Sequence, residues 1–488
     1  MKLNTAQSLN LSFVALLIII SCCSVPKQDE QEKSEVSNRD AWKSMNAILA
    51  EIKPPAFPDR DFLITDYGAV GNGSQDNTQA FQEAIAACNQ QGGGRVVVPQ
   101  GNFFTGPIHL KSNVNLHLKE GAKISFSTNP DDYLPLVYTR WEGVELMNYS
   151  PLIYAFAQTN IAITGQGILD GQANETNWWP WKGRKEYGWQ EGMPQQEEDA
   201  NRPALFAMAE EGVPVSERKF GAGHYLRPQF VQPYRCENVL IEGVTFVNSP
   251  MWILNPVLCN NVIIQGVTVD SQGPNSDGCD PESCKNVLIR DCFFNTGDDC
   301  IAIKSGRNAD GRRINVPSEN IIIQNCSMAN GHGGVVIGSE ISGGAKNIFA
   351  ENCSMNSPLL DRALRIKTSS MRGGVVEDIY MRNIKVGQVA EQVIRINMFY
   401  EDSGSFIPTV RNIEVENMTV EHGGEVGILL EGYEQSPVEN IRLFNVSIND
   451  VKIPYEFSNV KNVVFQDVTI NNQSITHQEQ KISGSKAF

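Results

Sequence analysis

Residues 285–289 (Lys-Asn-Val-Leu-Ile) are one copy of a short motif that recurs through most of the chain. Each copy has a polar residue, then asparagine or aspartate, then alternating aliphatic positions. The copies begin at residues 159, 237, 260, 285, 319, 346, 377, 411, 439 and 461. Short alternating segments that are rich in β-branched residues are typical of strands that bury one face. The motif therefore predicts a repeated strand.

The spacing of the copies predicts how these strands are arranged. From residue 237 onward, neighbouring copies begin 22 to 34 residues apart. No amphipathic helical pattern separates them, which excludes a fold of alternating strands and helices. One turn of a parallel β-helix, with three short strands and three bends, needs about this many residues. We therefore expect an all-β, single-stranded parallel β-helix, which is a solenoid.

Stacked coils should place like residues in columns, and two columns are visible in the sequence. The second position of the motif is nearly always asparagine, at 160, 238, 261, 286, 320, 347, 412, 440 and 462. Amide side chains in such a column can hydrogen-bond along the stack. The position seven residues after each start is apolar: Val244, Val267, Cys292, Cys326, Cys353, Ile384, Met418, Val446 and Val468. We interpret its three cysteines as core residues, since no His or Asp shares the column.

The N-terminal part of the chain predicts a cap and an export signal. Residues 76–88 form an amphipathic pattern with Phe81, Ala84, Ile85 and Cys88 on one stripe, and a helix can cover the apolar end of a solenoid. Lys2 precedes an apolar segment at residues 13–20 that is too short to span a bilayer.

Residues 19–22 (Ile-Ile-Ser-Cys) resemble a bacterial lipobox, in which Cys22 would carry the lipid. A cleaved secretory signal followed by free cysteines is the alternative. We expect a lipoprotein signal peptide at 1–22, a flexible polar tether at 23–55 and a β-helix domain at 56–488. The protein would then be an exported bacterial lipoprotein of the cell envelope, in contact with a membrane only through its lipid anchor.

The formal net charge is −16 and no basic tract is present. Nucleic acid is therefore excluded as a partner, because nothing in the sequence would neutralise its phosphates. An anionic substrate would need basic residues that gather at one site.

Charged residues do gather in the middle coils, in four short motifs. They are residues 275–280 (Asn-Ser-Asp-Gly-Cys-Asp), 297–299 (Gly-Asp-Asp), 331–333 (Gly-His-Gly) and 365–367 (Arg-Ile-Lys). Asp298 and His332 both lie 13 residues after the start of their copies, so they should stack one coil apart. Adjacent aspartates repel each other, so one carboxyl should have a raised pKa, which suits acid–base catalysis. Arg365 and Lys367 should point to the same side of a strand, where they could hold a carboxylate.

The four motifs resemble, in order and spacing, those of the polygalacturonases, glycoside hydrolase family 28, with Ser276 in place of a threonine. The resemblance covers about residue 62 to the C-terminus. It implies a right-handed parallel β-helix that hydrolyses α-1,4-galacturonosyl linkages of pectin with inversion, without a metal or cofactor. The substrate would be a pectic polysaccharide or oligogalacturonide.

The resemblance also implies roles for individual residues. Asp298 matches the general acid, Asp277 and Asp299 match the pair that activates water, and His332 matches a supporting residue. Arg365 and Lys367 match the ligands of the galacturonate carboxylate. Inversion would place acid and base roughly 6.5–9.5 Å apart.

Three further residues are candidates for shaping the site or binding substrate. They are Asn275, Asp280 and Tyr400. Two rival functions also remain: a pectate-lyase-like enzyme, in which the aspartates would bind calcium, and a pectin-binding β-helix without catalysis. An assay of reducing ends separates a binder from an enzyme.

The mode of attack depends on an insertion at about residues 172–236, which we call the lobe. It contains four of the seven tryptophans of the chain, Trp178, Trp179, Trp181 and Trp189. The tryptophans could line the floor of an extended cleft, or the lobe could close one end of the cleft so that only a chain end fits. We favour the second arrangement, since a folded aromatic lobe is bulky.

Overall fold

The computed structural model describes residues 41–475, in which the repeated strands stack as coils of a parallel β-helix. The strand of each repeat pairs in parallel with the same strand of the next coil. The coils are in step: Val287 lies opposite Ile321, and Ile321 lies opposite Ile348. The coils wind in the right-handed sense that connections between parallel strands take. The predicted fold class is confirmed.

Each coil contributes to three faces, and the first two faces form one sheet of 23 strands. The strands that begin on the first face are Asp61–Leu63, Gly94–Val98, Val114–Leu118, Thr159–Gly165, Glu237–Glu242, Asn260–Gln265, Lys285–Arg290, Ser318–Gln324, Ala345–Glu351, Val375–Gln388, Thr409–His422, Val438–Ile448 and Val460–Ile470. The others are Asn72–Asp76, Gly101–Thr105, Ala122–Phe126, Ile168–Asp170, Thr245–Val247, Thr268–Ser271, Phe293–Thr296, Ser327–Met328, Ser354–Met355 and Gln473–Ile475. The last strand pairs antiparallel and ends the sheet.

The third face carries shorter strands. They are Ile108–His109, Ile153–Phe156, Val231–Tyr234, Ile301–Ile303, Val335–Gly338, Arg362–Lys367, Gln392–Asn397, Gly424–Glu431 and Val451–Ser458. Single bridges at Leu254 and Cys279 continue the stack between Val231 and Ile301. Each third-face strand follows a bend from the second face. These bends carry the charged motifs at 275–280, 297–299 and 331–333, whereas the motif at 365–367 lies on the third-face strand Arg362–Lys367 itself.

The asparagine column forms a hydrogen-bonded ladder, as predicted, and it also makes a corner. The amide of Asn320 donates to Asn286 Oδ1 at 2.9 Å and accepts from Asn347 Nδ2 at 3.0 Å. The backbone φ of Asn320 is 58°. Asparagine tolerates this left-handed conformation better than most residues with a Cβ. One residue type therefore supplies both the turn of the chain and the bond between coils. A second ladder, at the next bend, links Asn383, Asn417 and Asn445.

The apolar column seven residues after each start is buried throughout. Cys292, Cys326 and Cys353 lie in it and belong to the main hydrophobic core. The nine cysteines among the described residues are all free and buried. Their role as core residues agrees with the structure.

The predicted capping helix is present as Thr78–Gln90, with Phe81, Ala84, Ile85 and Cys88 buried. The other α-helices among the described residues are 41–51, Arg202–Glu210 and Asn308–Ile314, and the 3-10 helices are Ile64–Tyr67, Pro130–Tyr133, Trp179–Lys182, Lys185–Tyr187 and Val215–Glu217. Among residues 41–475, no helix is both long and apolar enough to cross a membrane.

The end of the expected tether is ordered structure. Residues 41–51 are helical, and Met45 and Ile52 are buried. The backbone of Lys53 exchanges two hydrogen bonds with the side chain of Asn261, at 2.8 and 3.0 Å. The prediction of a flexible tether is wrong here, because the apolar residues of this polar segment lie on one helical face. The predicted signal peptide and Cys22 lie outside the described residues.

The lobe has its own hydrophobic core, which it shares with a hairpin that the repeat pattern did not predict. The hairpin consists of Val137–Trp141 and Val144–Asn148, and Lys219–Phe220 of the lobe pairs with it. The side chains of this second core include Trp141, Leu146, Leu205, Phe220 and Trp252. The lobe is shorter than expected, since Val231–Tyr234 already belongs to the third face.

Candidate active site

Three aspartates meet where two neighbouring coils bend from the second face to the third. One carboxylate oxygen each of Asp277, Asp298 and Asp299 lies within 4.8 Å of the others. The register of the coils brings them together, since the N–H of Gly278 donates to the carbonyl of Asp299 at 2.9 Å. Asp277 and Asp299 are buried, whereas the side chain of Asp298 is 17% exposed.

His332 stacks on Asp298 as the coil positions predicted. Its backbone N–H donates to the carbonyl of Asp298 at 3.1 Å, and its Nδ1 lies 3.0 Å from Asp298 Oδ1. The hydrogen bond and the charge of Asp298 raise the pKa of His332 to about 9. Burial alone would raise the pKa of Asp298, but the bond from His332, with the nearby charges of Lys367 and Lys304, holds it well below its usual value. The pair is an imidazolium and a carboxylate near neutral pH.

Asp277 has the raised pKa that crowded aspartates predict. Burial, followed by the charge of Asp298, raises its pKa to about 7, against the opposing effect of Lys304. Asp280 is fully buried behind it, and burial together with the charge of Asp277 holds the pKa of Asp280 well above its usual value. Lys304 Nζ lies 3.5 Å from Asp277 and 3.6 Å from Asp280. The same ammonium lies 3.2 Å from Glu340, so a single positive charge is shared among three carboxyl groups.

Arg365 and Lys367 point to the same side of their strand and reach Asp299. Lys367 Nζ lies 2.6 Å from Asp299 Oδ2, and Arg365 Nη1 lies 3.5 Å from Asp299 Oδ1. The ring of Tyr400 lies 5.6 Å from the Arg365 guanidinium and 5.4 Å from the Lys367 ammonium. Asn275 accepts a hydrogen bond from Arg227 at 2.8 Å.

These groups surround a cleft of about 260 Å³. Seven of the nine predicted site residues line it: Asn275, Asp277, Asp298, His332, Arg365, Lys367 and Tyr400. Asp280 and Asp299 lie buried beside it. We call Asp277, Asp298, Asp299, His332, Arg365 and Lys367 the catalytic strip.

Comparison with known proteins agrees with this geometry. The protein-family model described as glycosyl hydrolases family 28 matches residues 218–469, which contain the whole catalytic strip. The chain belongs to glycosyl hydrolases family 28. A second model, that of rhamnogalacturonase A/epimerase, pectate lyase-like, matches residues 62–117 of the first coils.

The relatives of this chain include proteins named for exo attack and proteins named for endo attack. The crystal structure of a hyperthermoactive exopolygalacturonase from Thermotoga maritima is 49% identical, covers 89% of this chain and 96% of its own, and has a TM-score of 0.86. An exo-poly-α-D-galacturonosidase of Dickeya chrysanthemi is 28% identical over 84% of this chain and 70% of its own. An endo-polygalacturonase of Pectobacterium parmentieri is 26% identical over 84% and 93%.

Several residues of this family 28 cleft were missed by sequence reasoning. They are Glu142, Lys182, Arg184, Tyr187, Arg202, Trp252, Pro274, Ser339, Glu340 and Glu401. Glu142 comes from the hairpin, and the next four come from the lobe, where no repeat fixes a position. Glu340 had a usable signal, because it lies two residues after the third-face strand Val335–Gly338 of the His332 coil.

The four tryptophans of the lobe do not line the cleft. Trp178 is 2% exposed, and its ring meets that of Trp181 edge-on at 5.0 Å. Trp179 Nε1 donates to the carbonyl of Ser249 at 2.9 Å. Trp178 and Trp179 thus pack inside the protein, and a cleft floor made of the lobe tryptophans is excluded.

The charge of the cleft is opposite to that of the chain. Seven lysines and arginines line it against five carboxylates, and His332 adds a positive charge. A chain of net charge −16 therefore presents a cationic cleft, which removes the electrostatic objection to an anionic substrate.

The spacing of the carboxylates differs from expectation. We expected roughly 6.5–9.5 Å between acid and base, the separation typical of inverting enzymes. The nearest oxygens of Asp277, Asp298 and Asp299 lie within 4.8 Å. Asp298 and Asp299 are adjacent in one bend, and Asp277 lies in the bend of the neighbouring coil. The spacing thus does not predict the stereochemistry.

Proposed function

We propose that this family 28 enzyme hydrolyses α-1,4-galacturonosyl linkages of pectic galacturonan from a chain end. The observation that carries the proposal is the catalytic strip, which combines three close carboxyl groups with cations in a cleft of this family. The 49% identical relative is an exopolygalacturonase. Galacturonan presents one carboxylate per sugar, which suits the excess of cations in the cleft.

Each reacting group has a place in the hydrolysis. Asp298, at the surface of the cleft, donates a proton to the glycosidic oxygen as the bond to the anomeric carbon breaks. Asp277 and Asp299 take the proton of the water that attacks this carbon from the opposite face. The product is then inverted. Asp298 has lost one proton and the Asp277–Asp299 pair has gained one, so one proton must pass back before the next cycle.

The anionic substrate also helps Asp298 to acquire the proton that it donates. The charges of Lys367 and Lys304 are among the causes that keep the pKa of Asp298 low. When a galacturonate carboxylate binds Arg365 and Lys367, it offsets part of the positive charge near Asp298. The pKa of Asp298 then rises, and a larger fraction of its carboxyl group carries the proton that the reaction requires.

The lobe supports attack from a chain end. Four of its residues, Lys182, Arg184, Tyr187 and Arg202, line the cleft. Burial and then the charge of Asp298 raise the pKa of Tyr187, so the lobe comes close to the acid. The cleft, at about 260 Å³, is below the roughly 300–1,000 Å³ of pockets for drug-sized ligands. Such a space suits a chain end better than the middle of a polymer.

Digestion of long polygalacturonate tests the proposal. We expect early release of monomer or dimer, reducing ends that rise while viscosity barely changes, and proton NMR signals of the inverted anomer first. A rapid fall in viscosity would contradict attack from the end, and the retained anomer would contradict inversion. Unsaturated products that absorb in the near ultraviolet would instead support the lyase, although Lys304 and Lys367 beside the aspartates disfavour a calcium ion there.

We also propose that Cys22 carries a lipid that anchors the enzyme to the cell envelope. The support is the Ile-Ile-Ser-Cys sequence after an apolar segment of signal-peptide length. Cys22→Ser should move the enzyme from the membrane fraction to the soluble fraction. Equal distribution of both forms would contradict the anchor.

A further inference from the structure

Lys182 stands out among the cations of the cleft because no carboxylate of residues 41–475 lies within 4.0 Å of its ammonium. Every other lysine, arginine or histidine that lines the cleft has a carboxylate oxygen within 4.0 Å: Arg184 to Glu186, Arg202 to Glu142, Lys304 to Glu340, Arg307 to Glu340, His332 to Asp298, Arg365 and Lys367 to Asp299. Within residues 41–475, no hydrogen bond or ion pair involves the ammonium of Lys182.

The carboxylate whose charge acts most strongly on Lys182 already has another partner. Glu142 is the main negative charge that acts on Lys182, but its Oε2 lies 2.8 Å from Arg202 Nε. Burial lowers the pKa of Lys182, and the charges of Arg227 and Arg202 add to this effect. An ammonium that is half-buried among other cations is unfavourable unless an anion completes its surroundings.

The backbone of Lys182 is held by the 3-10 helix to which it belongs. Lys182 ends the 3-10 helix Trp179–Lys182, which is held by aromatic contacts of Trp181. Trp181 packs against Trp178 at 5.0 Å and against Tyr225 at 5.2 Å. The backbone carbonyl of Trp181 also accepts the N–H of Gln196 at 2.7 Å. The backbone of Lys182 is therefore held in place, and its side chain lines the cleft.

The cleft thus has two cationic positions on different elements. Arg365 and Lys367 come from a strand of the third face, whereas Lys182 comes from the lobe. An oligogalacturonide carries a carboxylate on each sugar, so two sugars that lie in one cleft present two anions. The strand pair has Asp299 as a partner, and only the lobe position lacks an anion of the chain's own described residues.

We propose that Lys182 binds the carboxylate of a second galacturonate, the sugar on the lobe side of the cleft, and so makes the enzyme select substrates with two neighbouring free carboxylates. The inference rests on the proposed function, which it deepens. Lys182 would then determine specificity by charge, in addition to the closure that the lobe provides by shape.

Steady-state kinetics on trigalacturonate test this role with Lys182→Met, which keeps the length of the stem and removes the charge. We expect KM to rise about tenfold or more, the loss typical of a charge-assisted contact, with kcat within about twofold. Lys182→Arg should keep KM within about threefold of the wild type. Lys185→Met is the matched control, because Lys185 lies in the same lobe, is exposed and does not line the cleft.

The outcomes separate this inference from the proposed function. A KM for Lys182→Met equal to that of Lys185→Met would overturn the inference while the hydrolase stands. A loss in Lys182→Arg as large as in Lys182→Met would also overturn it, since the residue would then act through its shape. A near-ultraviolet circular dichroism spectrum like that of the wild type would confirm that the tryptophans of the lobe keep their packing. Absence of product from the wild-type enzyme would instead contradict the proposed function.

Discussion

The asparagine ladder and the catalytic strip are built by the same coil register, with opposite results. In the ladder, identical neutral amides stack, and each donates to the coil beside it, as Asn320 does to Asn286 at 2.9 Å. In the strip, unlike charged groups stack, and one oxygen of Asp277 and one of Asp299 have no hydrogen-bond partner among the described residues. Stacking of like amides links one coil to the next, whereas stacking of unlike charged groups leaves these two carboxylate oxygens without a hydrogen bond.

This difference predicts that substitutions in the ladder mainly change stability and that substitutions in the strip mainly change activity. A change in the ladder removes bonds that exist in the resting protein, so it should alter unfolding and leave chemistry alone. A change in the strip removes groups that act on the substrate, so it should alter turnover more than unfolding. Substitutions between asparagine, aspartate and alanine test both statements with small changes in shape.

The largest expected effect is that of Asp298→Asn in the strip. The amide keeps the shape and can still meet His332, but it cannot donate a proton as a carboxylic acid does. We expect kcat on trigalacturonate to fall by about 10²- to 10⁴-fold, the usual contribution of a positioned acid. The urea midpoint of unfolding should stay close to that of the wild type. More than about one hundredth of the wild-type kcat would contradict the assigned role.

The second expected effect is on the ladder. Asn320→Ala removes two hydrogen bonds, worth about 1 kcal/mol each, and places alanine at φ 58°, which costs about 1–2 kcal/mol more. We expect the urea midpoint to fall clearly and the kcat of the folded enzyme to stay within about twofold. Asn320→Gly should lie between alanine and wild type, because glycine adopts this φ freely.

The end of the ladder offers a control. Asn462 donates to Asn440 at 3.0 Å, and no described residue of a further coil donates to it. Asn462→Ala should therefore lower the midpoint less than Asn320→Ala. Equal losses at both positions would show that the left-handed corner, and not the bonds between coils, determines the cost.

Contacts that depend on equal positions in the repeat could be predicted from the sequence, whereas contacts that depend on the length of a side chain could not. The Asp298–His332 contact could be predicted because both residues lie at the same offset from their repeats, and a solenoid converts equal offset into proximity. The corner role of Asn320 was missed, although asparagine's tolerance of positive φ was a usable signal. The ion pair between Lys367 and Asp299 depends on side-chain reach across two coils, which an offset does not provide.

The lobe and the N-terminal helix could not be predicted in this way. Lys182, Arg202 and Glu142 come from segments without a repeat, so no position in the sequence indicates which residues face the cleft. The aromatic content indicated a folded lobe, and that much is correct. In and just after the helix at 41–51, the buried Met45 and Ile52 lie seven positions apart, but the charges around them hid the helical pattern.

The smallest expected effect is a shift in pH dependence, and it tests whether the strip holds its protons where the charges indicate. The pKa of Asp277 is raised to about 7, and as part of a base it must be ionised to accept a proton from water. Activity should therefore be lost as pH falls through about 7. The pKa of His332 is raised to about 9, and above it the His332–Asp298 pair has lost its proton. Activity should be lost again as pH rises through about 9.

His332→Gln separates the two limbs of this profile. Glutamine can still donate a hydrogen bond to Asp298 but holds no titratable proton. The alkaline limb of kcat/KM should then move to lower pH, because only the carboxyl of Asp298 remains to hold the proton and its pKa lies below 9. The acidic limb, which belongs to Asp277, should move much less. If the alkaline limb of the variant stayed near pH 9, the group that titrates there would not be His332, and the proton of the catalytic strip would have to be assigned to another residue.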